Sequence, residues 1–414
     1  MITFDDTVEY GAKMRIVGIG GGGCNAINTM IESSLTGVEF VAINTDMQAL
    51  AANRAQQKVQ IGRNLTRGLG AGANPEIGKR AAEEDIDQVR NVLEGSDLVF
   101  ITCGMGGGTG TGSAAVVAEA AQSIGALTIG IVTKPFHFEK EKRMSLALNG
   151  IEALREHVDT LIVIPNEKLL MVMPKNTPFI QAFKAADEVL FRATKGIADL
   201  ISCTGYVNVD FADVKKIMSG AGDAIMGMGV GTGERRGEEA VKQAINSPLL
   251  DETTIEGASG VLLNLTCPSD FTTEEVAEIS NLITNIAGPD ADVIWGYSVD
   301  EKLKGEVHVT VIAAGLNRQR FGKMKMYDTT ASEGPNPLSI SKRAAAEAST
   351  YYDHLRDMKT RKEMERPAIQ RMDEAAPDEA HDDDSGQILK KTGTDGLEDR
   401  SIPTFLRNHT RTKK

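Results

Sequence analysis

Two glycine-rich loops hold the densest potential chemistry in this chain. The first, Gly18 to Gly23 (G-I-G-G-G-G), stands between the apolar run MRIVGIG and a segment of helical period. Gly20, Gly21, Gly22 and Gly23 leave their backbone N–H groups uncovered by side chains, and at the start of a helix such groups favour phosphate. The plainer reading is a tight strand-to-helix turn. The loop also satisfies GxGxxG, and Asp46 ends the next apolar run about where a ribose-binding acid lies in dinucleotide enzymes, so a nicotinamide oxidoreductase is one reading. The second loop, Gly104 to Ser113 (G-M-G-G-G-T-G-T-G-S), again follows an apolar run (DLVFITC) and precedes a helical one (AAVVAEAAQSI). Gly106, Gly107, Gly108, Gly110 and Gly112 let the backbone wrap a phosphate, while Thr109 and Thr111 offer hydroxyl donors. Two cradles suit more phosphate than a dinucleotide fingerprint handles, and the absence of G-x-x-x-x-G-K-[ST] excludes an ordinary P-loop triphosphatase.

Other spacings are suggestive but open. Phe183 and Asp187 lie four apart in a helix-period run and so share a face; an aromatic plate beside a carboxylate suits guanine, whose N1–H and N2 amino group both donate, though a Phe on such a helix also reads as core. Glu139 and Arg143, four apart, read alone as an exposed helix ion pair of small value. Asp210 and Asp213, three apart in NVDFADV, read alone as an N-cap with its neighbours. Asn166 ends an apolar run. Cys24, inside the first loop, is either a small filler or a thiol whose pKa a helix N-terminus lowers.

The elements that must position these residues follow from periodicity. Short β-branched runs (MRIVGIG, VEFVAINTD, DLVFITC, LTIGIVT, DTLIVIP) alternate with helical segments from Lys13 to about Ile164, which predicts a parallel sheet with crossover helices and a ligand site at the carboxyl ends of its strands. A run without internal proline from Pro178 to Cys203 predicts one long helix linking two parts. After a loop at Tyr206 to Asp213, a second, smaller α/β unit follows: strand AIMGMGVG, helix EEAVKQAI, strand GVLLNLTC, helix TEEVAEISNLITNIA, then strands ADVIWGYSV and EVHVTVIAAG, ending near Gly315.

Composition limits what the chain does. Its charges sum to 45 − 58 = −13, and with 15 basic and 16 acidic residues in 331–414 the body keeps 30 − 42 = −12, which disfavours nucleic acid as a partner. No stretch approaches the ~18 apolar residues of a membrane span, and the acidic start MITFDDTVEY does not read as a signal peptide, so a cytoplasmic protein is expected. Cys24, Cys103, Cys203 and Cys267 form no CxxC pair and read as reduced thiols. Residues 331–414 contain no valine and 31 charged residues, too little apolar surface to offset chain entropy. This linker, with transient helix around Arg343 to Met372, ends in DRSIPTFLR and the basic residues Arg407, Arg411, Lys413 and Lys414.

GGGTGTG resembles the glycine-rich signature of tubulins, and residues 11–316, about three quarters of the chain, resemble the FtsZ family of bacterial tubulin-like cell-division GTPases. GIGGGGCNA at Gly18, AINTD at Ala42, GLGAGANPE at Gly68, KPFHFE at Lys134, IPNEKL at Ile164 and NVDFADV at Asn208 carry the likeness in order. The resemblance implies an α/β fold: a tubulin-like GTPase domain with a parallel sheet (1–177), a long core helix (178–203), a smaller α/β C-terminal domain with a catalytic loop (204–316), a disordered linker (317–398) and an anchor-binding tail (399–414).

It further implies GTP/GDP binding with Mg2+. Gly20 to Gly23 with Cys24, and Gly106 to Gly112, would surround the phosphates. Gly70, Ala71, Gly72, Ala73 and Asn74 would approach the terminal phosphate as a nucleotide switch. Asn25, Phe183 and Asp187 would meet the base, with Asn166 a further candidate there. Glu139 and Arg143 would meet ribose and phosphate, and Asp46 ribose or a metal; Asn44 and Pro135, in the matching strings, complete the set. Asp210 and Asp213 would act on the neighbouring subunit's nucleotide, polarising water and holding a cation such as K+. The implied partners are the chain itself, in head-to-tail protofilaments at a mid-cell ring, and membrane-anchor division proteins such as FtsA, through SIPTFLR. In that string Ser401 stands where the family commonly has an acid. A tubulin-like cytoskeletal paralogue without a role in division is the other reading.

Overall fold

The computed structural model describes residues 11–174, 176–202, 209–250 and 255–316; the linker, the tail and Cys203 lie outside them. Two compact units divide the chain, Met1–Met171 with Thr177–Gly334 and Val172–Asn176 with Pro335–Lys414. The sheet and all the site residues described below belong to the first.

Ten strands form that sheet: β1 Met14–Ile19, β2 Glu39–Asn44, β3 Gln57–Gln60, β4 Leu98–Gly104, β5 Leu127–Lys134, β6 Thr160–Pro165, β7 Gly222–Gly231, β8 Gly260–Cys267, β9 Asp292–Val299 and β10 Val307–Ala314. Their order is β3-β2-β1-β4-β5-β6-β7-β10-β8-β9. β10 alone runs antiparallel to its neighbours, and the other nine share one direction. β1, β4 and β5 are buried along nearly their whole length, as strands covered on both faces must be, which explains their unbroken apolar runs. The edge strand β3, QKVQ, has a single apolar residue and so gave no signal in the sequence.

The strands of the second part do not make a sheet of their own. β7 pairs in parallel with β6 through Thr160↔Gly222, Leu161↔Asp223 and Ile162↔Ala224, so that one sheet runs through both parts. Arg155 reinforces this join by donating from Nε to Asp223 Oδ1 at 2.9 Å. The glycines of β7 let a helix lie directly on it: side chains at Gly227, Gly229 and Gly231 would come within 2.0, 1.9 and 1.7 Å of the carbonyls of Ala244, Ala240 and Arg236 in the helix Arg236–Ile245.

The long helix is observed at Phe179–Ser202. Its buried residues recur every three or four positions (Ala182, Ala186, Val189, Leu190, Ala193, Ile197), the spacing of one apolar face. That face packs on the helix Gly20–Glu32 and on β5, β8 and β9, so one rigid rod touches both parts of the sheet.

Candidate functional site

Both glycine loops follow strand ends at the carboxyl edge of the sheet, and their glycines are there because backbones meet. A Cβ on Gly20 would stand 2.8 Å from Gly110 N, one on Gly22 3.0 Å from Gly104 N, and one on Gly23 2.3 Å from Thr102 O. Gly20 also has φ +70°. Gly21 and Asn25 lie in the first turns of the helix Gly20–Glu32, partly accessible. In the second loop a Cβ on Gly107 would meet nothing within 4 Å: that position faces open space, as the floor of a ligand cradle should. The hydroxyls here already have partners. Thr111 Oγ1 accepts from Gly106 N–H at 2.8 Å, Thr109 Oγ1 lies 2.6 Å from Thr45 Oγ1, and Ser113 Oγ donates to Thr109 O. Thr111 thus fixes the loop's shape as well as lining it.

The segment Gly70–Asn74 closes on this cradle. Gly70, Gly72 and Ala73 all have positive φ (86°, 58° and 59°), and for Ala73 that conformation carries strain of the kind found at functional loops. Asn74 caps the helix Pro75–Glu84, its Oδ1 accepting from Glu76 N–H at 3.0 Å. Ala71 is buried against the second loop, where a Cβ on Gly108 would lie 2.8 Å from its own.

Asp46 is the N-cap of the helix Met47–Ala52, with Oδ1 accepting from Gln48 N–H and Ala49 N–H. The cap occupies Oδ1 of the carboxylate. Asn44 is buried, its amide donating to Cys24 Sγ at 3.8 Å and its Oδ1 accepting from Asp46 N–H at 3.3 Å.

Cys24 itself is buried, and desolvation pushes its thiol up to about 12. Removal from water outweighs the hydrogen bond from Asn44, which lowers it, and the charge of Asp46 adds to the rise, so burial works against a reactive thiolate here. Cys103 and Cys267 are likewise buried and free.

Beyond β5 and β6 the other end of the site takes shape. Pro135 is buried, with Cγ 3.4 Å from the position a Cβ on Gly106 would take. Phe183 sits edge-on to Phe136, Phe179 and Phe138, with centroids 5.3, 5.2 and 6.3 Å away, so it belongs to an aromatic cluster that sequence spacing alone did not reveal. Phe138 and Phe179 remain largely exposed. Asp187, one turn on, has its carboxyl pushed up to about 8 by burial, which the charge of Lys184 only partly opposes.

Asn166, at the end of β6, is buried, and its Oδ1 has no hydrogen-bond partner among the described residues. A buried acceptor without a donor costs roughly 1–3 kcal/mol unless something supplies one. Glu139 and Arg143 do pair, but not on one helix: Glu139 ends the short turn His137–Glu139, while Arg143 is in the helix Glu141–Arg155. Glu139 Oε1 also accepts from Phe136 N–H at 3.0 Å. The pair is partly buried and tied to the aromatic cluster.

Asp210 and Asp213 lie elsewhere. Asp210 holds the N-cap position of the helix Phe211–Met218, yet its side chain caps nothing, and both carboxylates are exposed. The capping explanation therefore does not account for Asp210. This helix ends at the amino edge of the sheet: Thr160 Oγ1 donates to Met218 O, Asp159 Oδ1 accepts from Gly220 N–H, and Lys216 Nζ reaches Asp292 Oδ2 at 2.9 Å. The two edges are about 17 Å apart, the length of a six-residue strand such as β6.

Residues 13–174 match the description "Tubulin/FtsZ family, GTPase domain", and residues 222–317 match "FtsZ family, C-terminal domain". Among solved structures the chain is similar to the M. jannaschii FtsZ dimer, with 48% identity, 74% of this chain and 89% of that one covered, and a TM-score of 0.72. CetZ1 of Haloferax volcanii, a GDP-bound monomer, is 22% identical over 73% of this chain and 94% of its own, with a TM-score of 0.64. CetZ2 of the same organism, in a GTPγS-bound protofilament, is 18% identical over 84% and 99%, with a TM-score of 0.63. At those identities the two CetZ proteins share the fold alone. With both parts of the sheet matched, and nearly half the positions identical to an FtsZ over most of both chains, this chain belongs to the Tubulin/FtsZ family and is a GTPase.

Proposed function

We propose that this GTPase polymerises head to tail into protofilaments and that each chain's nucleotide is hydrolysed with help from the next. The observation that carries the reading is the placement of two incomplete halves at opposite edges of one sheet. Glycine loops shaped for phosphate stand at the carboxyl edge, and two exposed carboxylates, one at an N-cap it does not cap, stand at the amino edge. A second copy stacked on the first would bring its Asp210 and Asp213 to the nucleotide, to orient water and hold a cation such as K+.

In this reading Gly20 to Cys24 and Gly106 to Gly112 surround the phosphates, and Gly70 to Asn74 sense the terminal one. Glu139 and Arg143, beside Pro135, meet ribose and phosphate, while Asp46, with Asn44 next to it, meets ribose or a metal. Asn25, Phe183 and Asp187 receive guanine, and the base or sugar gives Asn166 Oδ1 its missing donor. Among the described residues no three His, Cys, Asp or Glu side chains gather as a metal centre. Mg2+ would come with the nucleotide and neutralise phosphate charge.

The domain limits 1–177, 178–203, 204–316, 317–398 and 399–414 are part of the same proposal, as are a cytoplasmic site at the mid-cell division ring and recruitment by a membrane anchor such as FtsA through Ile402 to Leu406. No helix among the described residues is long and apolar enough to cross a membrane. The 48% identity to an FtsZ over most of both chains favours this role over that of a cytoskeletal paralogue outside division.

GTP turnover per chain, measured against protein concentration, tests the mechanism: it should vanish below an assembly threshold. Asp210→Ala should bind GTP normally, hydrolyse it poorly and form persistent polymers. Mixing it with Thr109→Arg, which keeps the acidic loop but loses the cradle, should restore some turnover. Strictly first-order hydrolysis at concentrations too low for association would refute it.

A further inference from the structure

The pair Thr45 and Thr109 has a direction, and it bears on how the cradle recognises phosphate. Thr45 follows the last residue of β2 and is fully buried. Its Oγ1 lies 2.6 Å from Oγ1 of Thr109, the first residue of the helix Thr109–Ser123. Each hydroxyl has one proton to give and two lone pairs to accept with. Only one proton can occupy the space between the two oxygens.

If Thr109 were the donor, the proton of Thr45 would need another acceptor inside the core, and among the described residues none is placed on its hydroxyl. Thr66 Oγ1 reaches the Thr45 carbonyl, not its side chain, and spends its own proton on the carbonyls of Gly62 and Thr45. An unmade hydrogen bond costs more on the Thr45 side, which has no solvent exposure at all, than on the Thr109 side, which keeps 8% on the border of the cradle. With Thr45 donating, the Thr109 proton is released, and Thr109 is the residue that borders the glycine cradle.

We infer that Thr45 is a positioning residue: by donating to Thr109 it turns the Thr109 hydroxyl into a pure donor aimed at a bound phosphate oxygen. This rests on the reading of the second glycine loop as a phosphate cradle. It explains why a side chain that cannot reach the ligand sits hydroxyl to hydroxyl with one that can. It also separates the two threonines of the loop: Thr111 is held by accepting from Gly106 N–H, and Thr109 is held by accepting from Thr45. An oxygen whose proton is fixed outward favours an acceptor such as a phosphoryl oxygen and gains little from a group that itself donates.

Calorimetric titration of GTP into the full-length chain, into Thr45→Val, Thr45→Ser and Thr109→Val, and into the double Val variant tests this. Thr45→Val should weaken GTP binding by about three- to tenfold, the size of one neutral hydrogen bond. Thr45→Ser, which keeps the hydroxyl, should bind as the unmodified chain does, a rescue that a purely space-filling role would not give. In the Thr109→Val background Thr45→Val should add nothing, because its only route to the ligand is gone. Should Thr45→Val not fold, Thr45→Ala removes the hydroxyl without setting a methyl group against Thr109, and the same three comparisons apply. Unchanged affinity without the Thr45 hydroxyl, or a loss that simply adds to that of Thr109→Val, overturns the inference and leaves the cradle reading standing. Unchanged affinity in Thr109→Val overturns the cradle role of Thr109 itself, and the inference with it.

Discussion

Gly108 and Ala71 meet so closely that a methyl group on the glycine would stand 2.8 Å from the Ala71 Cβ and 2.9 Å from Asn74 N. The loop Gly70–Asn74 is therefore built onto the second glycine loop, and a change in one must be felt by the other. Such a contact would give this loop, if it senses the terminal phosphate as proposed, a mechanical route to the rest of the site.

Three glycines of the second loop should respond differently to substitution. Gly107→Val meets open space, so the nucleotide-free protein should melt within about 0.5 kcal/mol of the unmodified one, yet GTP binding should disappear because the side chain occupies the ligand's place. Gly108→Ala should displace Gly70–Asn74 and weaken GTP binding with a modest loss of stability. Gly112→Ala would drive its methyl to 1.9 Å from Pro75 O, and an overpacked backbone contact of that kind should lower the melting point whatever the ligand. Thermal melts with and without GTP separate the three, and a Gly107→Val protein that still binds GTP would contradict the cradle.

Asp187→Ala should cost about 1 to 3 kcal/mol of GTP affinity, the range for a hydrogen bond to a charged group. The pH dependence has a defined sign. The free carboxyl, raised to about 8 by burial, is largely protonated at neutral pH, while the two donors of guanine favour its ionised form. Binding should release a proton, and affinity should rise with pH up to about 8 and then level off. Titrations from pH 6 to 8.5 in two buffers of different ionisation enthalpy measure this; Asp187→Asn should abolish the trend. Since folding raises this pKa, Asp187 supports the nucleotide-free fold only while protonated, and that fold should lose stability as pH climbs from about 4 to about 8. A flat affinity profile in the unmodified chain would remove Asp187 from the base site.

Deleting Ser401–Lys414 should leave GTP turnover and its concentration threshold nearly intact while removing the protein from the division site. The reason is compositional: Ile402, Phe405 and Leu406 form an isolated apolar cluster at the end of a charged stretch, the usual look of a segment recognised by a partner. Fluorescence localisation of the truncated chain checks it, and normal recruitment would dismiss the tail as the anchor-binding segment.

By itself the amino-acid sequence determined what depends on neighbours along the chain. The strands β1, β2, β4, β5 and β6 and the four of the second part were legible because a buried strand is a short apolar run whatever it pairs with. The long helix was legible because its apolar residues recur every three or four positions without a proline. The two glycine loops were legible because uncovered backbone is a property of the loop alone.

Tertiary structure decided everything that joins distant segments. Only packing sets Gly108 against Ala71 and Thr45 against Thr109, carries one sheet through Thr160 and Gly222, and places Phe183 in an aromatic cluster with Phe136. Only burial decides titration: desolvation raises Asp187 and Cys24, overriding in Cys24 what a helix start would suggest. The separation of Asp210 from the glycine loops is set by a strand lying between the two edges and by a helix tied at its last turn to Thr160. Local patterns carry no information on how far apart two such places come to rest, because that distance follows from which faces are buried against each other.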